Sequence, residues 1–121
     1  MKTEAEVITV NGIEYAPKHT QEAPEHEGME YVIVRTYSAG VFAGYLKQRT
    51  GKEVLLVNAR RIWRWEGAAT LSQLAVDGTG KPQNCKFPCA VPLITLTEAI
   101  EIIPCTQNAK ESIEGVPVWK A

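Results

Sequence analysis

The sequence is poor in the groups from which most catalytic sites are built. Among 121 residues it has two histidines, His19 and His26, and a single aspartate, Asp77. A Ser-His-Asp relay would have to take its imidazole from the polar stretch after Pro17 and its carboxylate from the turn Asp77-Gly78. Neither a Gly-x-x-x-x-Gly-Lys phosphate loop nor a Gly-x-Gly-x-x-Gly turn is present. These shortages argue against an enzyme. No apolar run approaches the ~20 residues that a membrane span requires, so no membrane association is expected. Met1–Glu6 lacks the apolar core of a secretory leader, which points to a protein that stays in the cytoplasm. The three cysteines, an odd number, are expected as free thiols in a reducing compartment. Cys85, Cys89 and Cys105 would need a distant histidine to complete a tetrahedral site, and buried cysteines ordinarily behave as small apolar residues. Neither a metal nor another cofactor is expected.

What is present is ordinary in amount and uneven in placement. Hydrophobic residues make up 45% and charged residues 22%, enough apolar material for one globular domain and too much for wholesale disorder. The formal net charge of −1 conceals three blocks. Residues 1–30 carry two lysines and seven glutamates, for −5. Residues 31–65 carry seven Lys and Arg against Glu53 alone, for +6, and residues 66–121 carry four lysines against six acids, for −2. A protein that coats nucleic acid would be basic throughout, so binding to nucleic acid is disfavoured. The positive charge is concentrated where a compact anion could be held, although a solvated basic face fits the charge equally well.

Local patterns predict a β-rich α+β fold. Asn11-Gly12 between Val7–Val10 and Ile13–Tyr15 predicts a hairpin, because both residues tolerate the positive φ of a type I′ turn. The stretch from Lys18 to Gly28 reads as an acidic linker, dividing the chain into a hairpin and linker over 1–29 and a main domain over 30–121. Strands are expected over Tyr31–Thr36, Val41–Leu46 and from Glu53 through Trp65, with turns at Ser38-Ala39-Gly40 and Thr50-Gly51-Lys52. Further strands are expected over Phe87–Val91 and Leu93–Ile103. Thr70-Leu71-Ser72-Gln73 has capping-box spacing, and Thr106 can cap a last helix through Ile113. Short strands, tight turns and two short helices predict a small, strongly bent antiparallel sheet or partial barrel.

The hexamer Arg60-Arg61-Ile62-Trp63-Arg64-Trp65 carries the most chemistry. Guanidinium groups offer paired donors to phosphate oxygens, and indoles offer faces on which a base can stack. Strict alternation puts Arg61, Trp63 and Trp65 on one face and Arg60, Ile62 and Arg64 on the other, and a bulge near Asn58 would exchange the two. Arg35, Arg60, Arg61 and Lys86 are the candidate phosphate ligands. Tyr37, Trp63, Trp65 and Phe87 are the candidate stacking groups, and Asn58 and Asn84 could read a base or ribose edge. The structural alternative is that the tryptophans and Phe87 are core and the cations are solvated.

The run YVIVRTYSAGVFAGY from Tyr31 to Tyr45, with Asn58–Trp65, Ala69–Ala75 and Asn84–Pro88, resembles a family of small phage and prophage proteins, the first-described class of Thoeris anti-defence proteins. The resemblance covers roughly residues 30–119. It implies a viral sponge in the cytoplasm of the infected bacterial host, which sequesters the cyclic ADP-ribose isomers made by TIR-domain enzymes without cleaving them. It also implies that cyclic trinucleotides of CBASS defence could bind at a separate site. A homo-oligomer follows too, a dimer or a hexamer of three dimers, with arginines and stacking aromatics in a pocket between subunits. Two other readings stay open: a nucleic-acid-binding phage module using the central strands, and a structural or partner-binding phage protein.

Overall fold

The computed structural model describes residues 8–10, 13–15 and 27–120. Strands β1 (Ile8–Val10) and β2 (Ile13–Tyr15) pair antiparallel, with Ile8 opposite Tyr15. The turn pair Asn11-Gly12 and most of the expected linker lie outside the described residues.

The main body is an α+β domain. Its strands are β3 (Tyr31–Thr36), β4 (Val41–Thr50), β5 (Glu53–Arg61), β6 (Val91–Leu96) and β7 (Ala99–Pro104). Its helices are α1 (Leu71–Asp77) and α2 (Gln107–Gly115). The five strands form one antiparallel sheet in the order β6-β5-β4-β3-β7. β6 and β7 stand at opposite edges, yet only Thr97 and Glu98 separate them in the chain. Four strand spacings of a flat sheet would span roughly 19 Å, while three Cα–Cα steps reach at most about 11 Å. The sheet therefore curls until its edges approach. Glu98 O accepts from Tyr37 N at 2.9 Å and Lys52 O accepts from Ala99 N at 3.0 Å, which ties the β6–β7 turn to the ends of both hairpins. The edges do not pair, so the sheet is an open, strongly bent one.

This curl gives the sheet two apolar faces. The concave side encloses Val32, Val34, Phe42, Val54, Leu56, Ala59, Leu96 and Ala99. The convex side packs Tyr31, Ile33, Ala43, Tyr45 and Ile62 against Leu74 and Ala75 of α1, Ala109 and Ile113 of α2, and Phe87. β3 crosses between the two and is buried on both, so its first four residues read as a continuous apolar run instead of alternating.

The helices begin where side chains can cap them. Thr70 Oγ1 accepts from Gln73 N at 3.1 Å, and Gln73 Oε1 accepts from Ala69 N at 2.7 Å, one residue ahead of the reciprocal bond of a capping box. Thr106 Oγ1 accepts from Ala109 N at 3.0 Å and donates to Val76 O at 2.6 Å, so one hydroxyl caps α2 and holds the end of α1.

Three sequence expectations are corrected. β5 stops at Arg61 instead of running to Trp65, because it outruns its partners: β4 begins at Val41, opposite Arg61 and Ile62, and β6 begins at Val91, opposite Ala59. The residues after Arg61 turn instead to a bridge between Arg64 and Lys86. Phe87 heads no strand; it makes one bridge, with Val118. Leu93–Ile103 is two strands on opposite edges, divided at Thr97-Glu98.

A bulge is present at Asn58, so the faces assigned by strict alternation are exchanged beyond it. Asn58 has φ 54° and the β4–β5 register shifts between Ala43 and Tyr45, leaving Gly44 beneath the extra residue. A Cβ at Gly44 would lie 3.0 Å from Ala59 Cα and 3.1 Å from Val57 O, both backbone atoms in the paired strand. We expect Gly44→Ala to destabilise the fold by about 1–3 kcal/mol, read as a lower urea midpoint with the slope unchanged. Val32→Ile on the neighbouring strand serves as an overpacking control.

Candidate functional site

The extra residue at Asn58 decides where each cation goes. Before it, Val54 and Leu56 point into the concave side; after it, Ala59 and Arg61 do, and Arg60 and Ile62 turn to the convex side. Arg60 is buried there. Its Nε donates to Pro88 O at 2.9 Å, Nη1 to Ile113 O at 2.9 Å and Nη2 to Phe87 O at 3.0 Å. The guanidinium thus joins β5, the segment after Asn84 and the last turn of α2, and it lies 5.5 Å from the Phe87 ring centroid. Burial pulls its pKa below the ordinary arginine value.

Arg61 sits across the sheet at the rim of the concave side. Its guanidinium covers the Phe42 ring at 4.4 Å and Nη1 donates to Ala39 O at 2.6 Å. Arg35 is on the convex face of β3, where Nε meets Glu101 Oε1 at 2.9 Å. Tyr37, 78% exposed, stands in the β3–β4 turn. The arginines grouped by sequence as phosphate ligands are therefore separated, two of them on opposite faces, and Arg35 already has a carboxylate.

A third location brings candidates together. The strand-like segments at Trp63–Arg64, Lys86–Phe87 and Val118–Trp119 lie side by side: Trp63 N donates to Lys86 O at 3.1 Å and Trp119 N to Phe87 O at 3.0 Å. Phe87 points inward and is fully buried. Lys86 stays outside between two exposed indoles. The rings of Trp63 and Trp119 are nearly parallel, 6° apart with centroids 6.4 Å from each other, and Lys86 Nζ is 5.3 Å from the Trp119 centroid. Trp63 is 63% exposed. Arg64 lies close by with Nη2 3.4 Å from Glu66 Oε2, and Asn84 Nδ2 donates to Glu66 Oε1 at 3.2 Å. Trp119 was not singled out from the sequence; its signal was the three-residue apolar cluster Val116-Pro117-Val118 leading into a third indole.

Two stacking candidates lie in or against the core. Phe87 is core, with no face left for a ligand. Trp65 is half-buried against the convex core, and its Nε1 donates to Ala68 O at 3.1 Å. Asn58 borders a separate open cleft of about 240 Å³ with Tyr31, Arg60 and Glu114.

The thiols are free, Cys85 and Cys105 buried and Cys89 exposed. No group of three or more His, Cys, Asp or Glu side chains that could hold a metal gathers among the described residues, and both histidines lie outside them. Burial pushes the Cys105 thiol up to about 12, so it stays protonated and is no nucleophile at neutral pH. Tyr31 is also held above its ordinary value, by burial first and by the Glu114 charge second.

Residues 29–113 match the model of a domain of unknown function, DUF6948. The chain belongs to the DUF6948 family. The matched span holds the whole five-stranded sheet, both caps and Trp63 and Lys86, and it ends within α2, ahead of the segment that carries Trp119. Comparison with curated proteins and with solved structures gives no match.

Two outcomes follow from these contacts. Arg60→Leu leaves Pro88 O without a donor, takes one of two donors from Phe87 O and Ile113 O, and empties a buried site, and it is expected to cost about 2–4 kcal/mol in denaturant unfolding. Arg61→Leu, at an exposed rim, is expected to cost less than half as much. The raised thiol and phenol stay protonated in the folded protein while the unfolded chain ionises them, so the unfolded state binds fewer protons at high pH. Stability is thus fully present below pH 9, the ordinary thiol value, and is lost as pH rises toward 12. The slope approaches about 1.4 kcal/mol per pH unit for each group, and Cys105→Ala should remove the first part of it in urea titrations between pH 8 and 11.

Proposed function

We propose that this protein captures a cyclic nucleotide signal, a cyclic ADP-ribose isomer or a cyclic trinucleotide, and withholds it without cleaving it. The observation that carries the reading is the exposed, nearly parallel pair of Trp63 and Trp119, with the Lys86 ammonium 5.3 Å from the Trp119 ring. An adenine stacks on an indole whatever its hydrogen-bonding edge, and an adjacent ammonium neutralises a phosphate. The absence of a motif for hydrolysis in the sequence agrees with capture. The phage anti-defence resemblance of Tyr31–Tyr45 and Asn58–Trp65 supplies the ligand class.

An exposed platform holds a small ligand weakly unless something covers it. A second copy of the chain is the proposed cover, and Leu93, Val118 and Trp119, all exposed apolar side chains, supply surface for that contact. The nucleic-acid reading is less well supported. Within the basic block Arg60 is buried and Arg35 and Arg64 each meet a glutamate, which leaves Lys47, Arg49 and Lys52 around the β4–β5 turn as its exposed cations, a short patch for a phosphate backbone.

The test is depletion and recovery with a cyclic ADP-ribose isomer and a cyclic trinucleotide. Ligand should disappear from the filtrate with the folded protein and return intact when the protein is denatured. Trp63→Ala and Trp119→Ala, both at the surface, should each weaken binding by roughly 5- to 100-fold at unchanged stability. Loss without recovery would show turnover, and retention of neither ligand would remove the reading. A steep decline of binding to single-stranded DNA with salt, in place of ligand capture, would favour the nucleic-acid module.

A further inference from the structure

The cleft beside Arg60 is separate from the indole pair, and besides the exposed Asn58 amide at its border it contains two buried polar groups with unused bonding capacity. Arg60 is buried and meets no carboxylate within ion-pair distance among the described residues. Three of its five N–H groups go to carbonyls, leaving one on Nη1 and one on Nη2. A buried guanidinium whose only partners are neutral carbonyls is costly, and an anion would relieve that cost. The second group is Tyr31. It is 2% exposed, lines the same cleft, and its hydroxyl has no hydrogen-bond partner among the described residues. Its ring is held rigidly, edge-on to Tyr45 with centroids 5.2 Å apart, so the hydroxyl position is set in advance.

The remaining walls define the class of occupant. Ala90, Val116 and Val118 make one side apolar. Glu114 stands at the rim, its carboxylate held by Lys110 Nζ at 2.9 Å, and the carbonyl end of α2 adds partial negative charge. These features oppose a dianion and accept a monoanion. The volume, about 240 Å³, is below the ~300–1,000 Å³ of pockets that enclose drug-sized ligands. It is too small for a cyclic dinucleotide and large enough for a compact acid. We propose that this cleft is a binding site for a small monocarboxylate with an apolar tail, its two oxygens on the free N–H groups of Arg60 and the Tyr31 hydroxyl, and its tail against Ala90, Val116 and Val118. The site uses neither indole, and Val118, which also belongs to the surface proposed for the second copy, is the one side chain it has in common with the nucleotide reading.

Benzoate is the probe, titrated into the full chain while amide resonances are followed. Saturable shifts are expected at Ala90, Val116 and Val118, with Trp63 and Trp119 unmoved. Benzamide, the neutral isostere, should bind at least about tenfold more weakly because it forfeits the charge on Arg60. Tyr31→Phe should weaken benzoate at least about threefold while leaving the unfolding midpoint unchanged or higher, since it removes a hydroxyl with no partner. Ala90→Phe, an exposed position at the mouth, should abolish the shifts in a folded protein. The proposal is overturned if benzoate gives no saturable shift, if benzamide matches it, or if inorganic phosphate binds more tightly. It is overturned equally if Tyr31→Phe lowers the midpoint, which would mean that the hydroxyl serves the fold.

Discussion

One residue in the left-handed region, Asn58, sets the orientation of everything that follows it in β5. By adding a residue opposite Gly44 it reverses the face of each later side chain. Ala59 and Arg61 enter the concave side and Arg60 and Ile62 the convex one. Without the extra residue Arg60 would point into the concave side with Val34 and Phe42, away from the three carbonyls that receive it. With it, the guanidinium reaches three carbonyls from two separate segments. Gly44 is the other half of the same device, since backbone of the paired strand occupies the space a side chain would need.

Arg60 then does for the convex layer what the curl does for the concave one. The two-residue link between β6 and β7 draws the sheet edges together and encloses Phe42, Leu56 and Leu96. On the other side α1 is only two turns long and would not be stable alone. It is retained by burial of Leu74 and Ala75, by the Thr106 hydroxyl at its end, and by close approach to Ser112 at Gly78. Arg60 closes this layer by holding the last turn of α2 and the Phe87–Pro88 segment to β5. That segment in turn presents Lys86 outward between Trp63 and Trp119. The indole pair is thus the outer face of a contact whose inner face is Phe87 under Arg60.

Much of the fold was legible in the sequence because it rests on local chemistry. The Tyr31–Thr36 strand, the turns at Gly40 and Gly51 and the caps at Thr70 and Thr106 each depend on a few neighbouring residues, whereas the bulge at Asn58 was only one of two alternatives the sequence allowed. The errors fell where a boundary depends on a distant partner. β5 was read through to Trp65 because its alternation continues, but a strand ends when its neighbours do. Leu93–Ile103 reads as one strand because no proline or glycine interrupts it, while the chain uses Thr97 and Glu98 within it to cross between sheet edges.

The candidate site divides the same way. Residue type alone determined which side chains carry charge, which can stack and which thiols are available, and those inventories stand. Sequence alone also determined that Arg60 and Arg61, adjacent in a strand, would face opposite sides, because strand geometry alternates. Tertiary structure decided the remainder. Arg60 and Phe87 went to the interior, Trp65 to the edge of the core, and Trp119, outside the hexamer by more than fifty residues, came to rest beside Trp63. Side-chain chemistry is a property of one residue and is present in the sequence. Exposure and adjacency are properties of how separate segments pack, and here they were decided by one extra residue in a strand and one guanidinium beneath it.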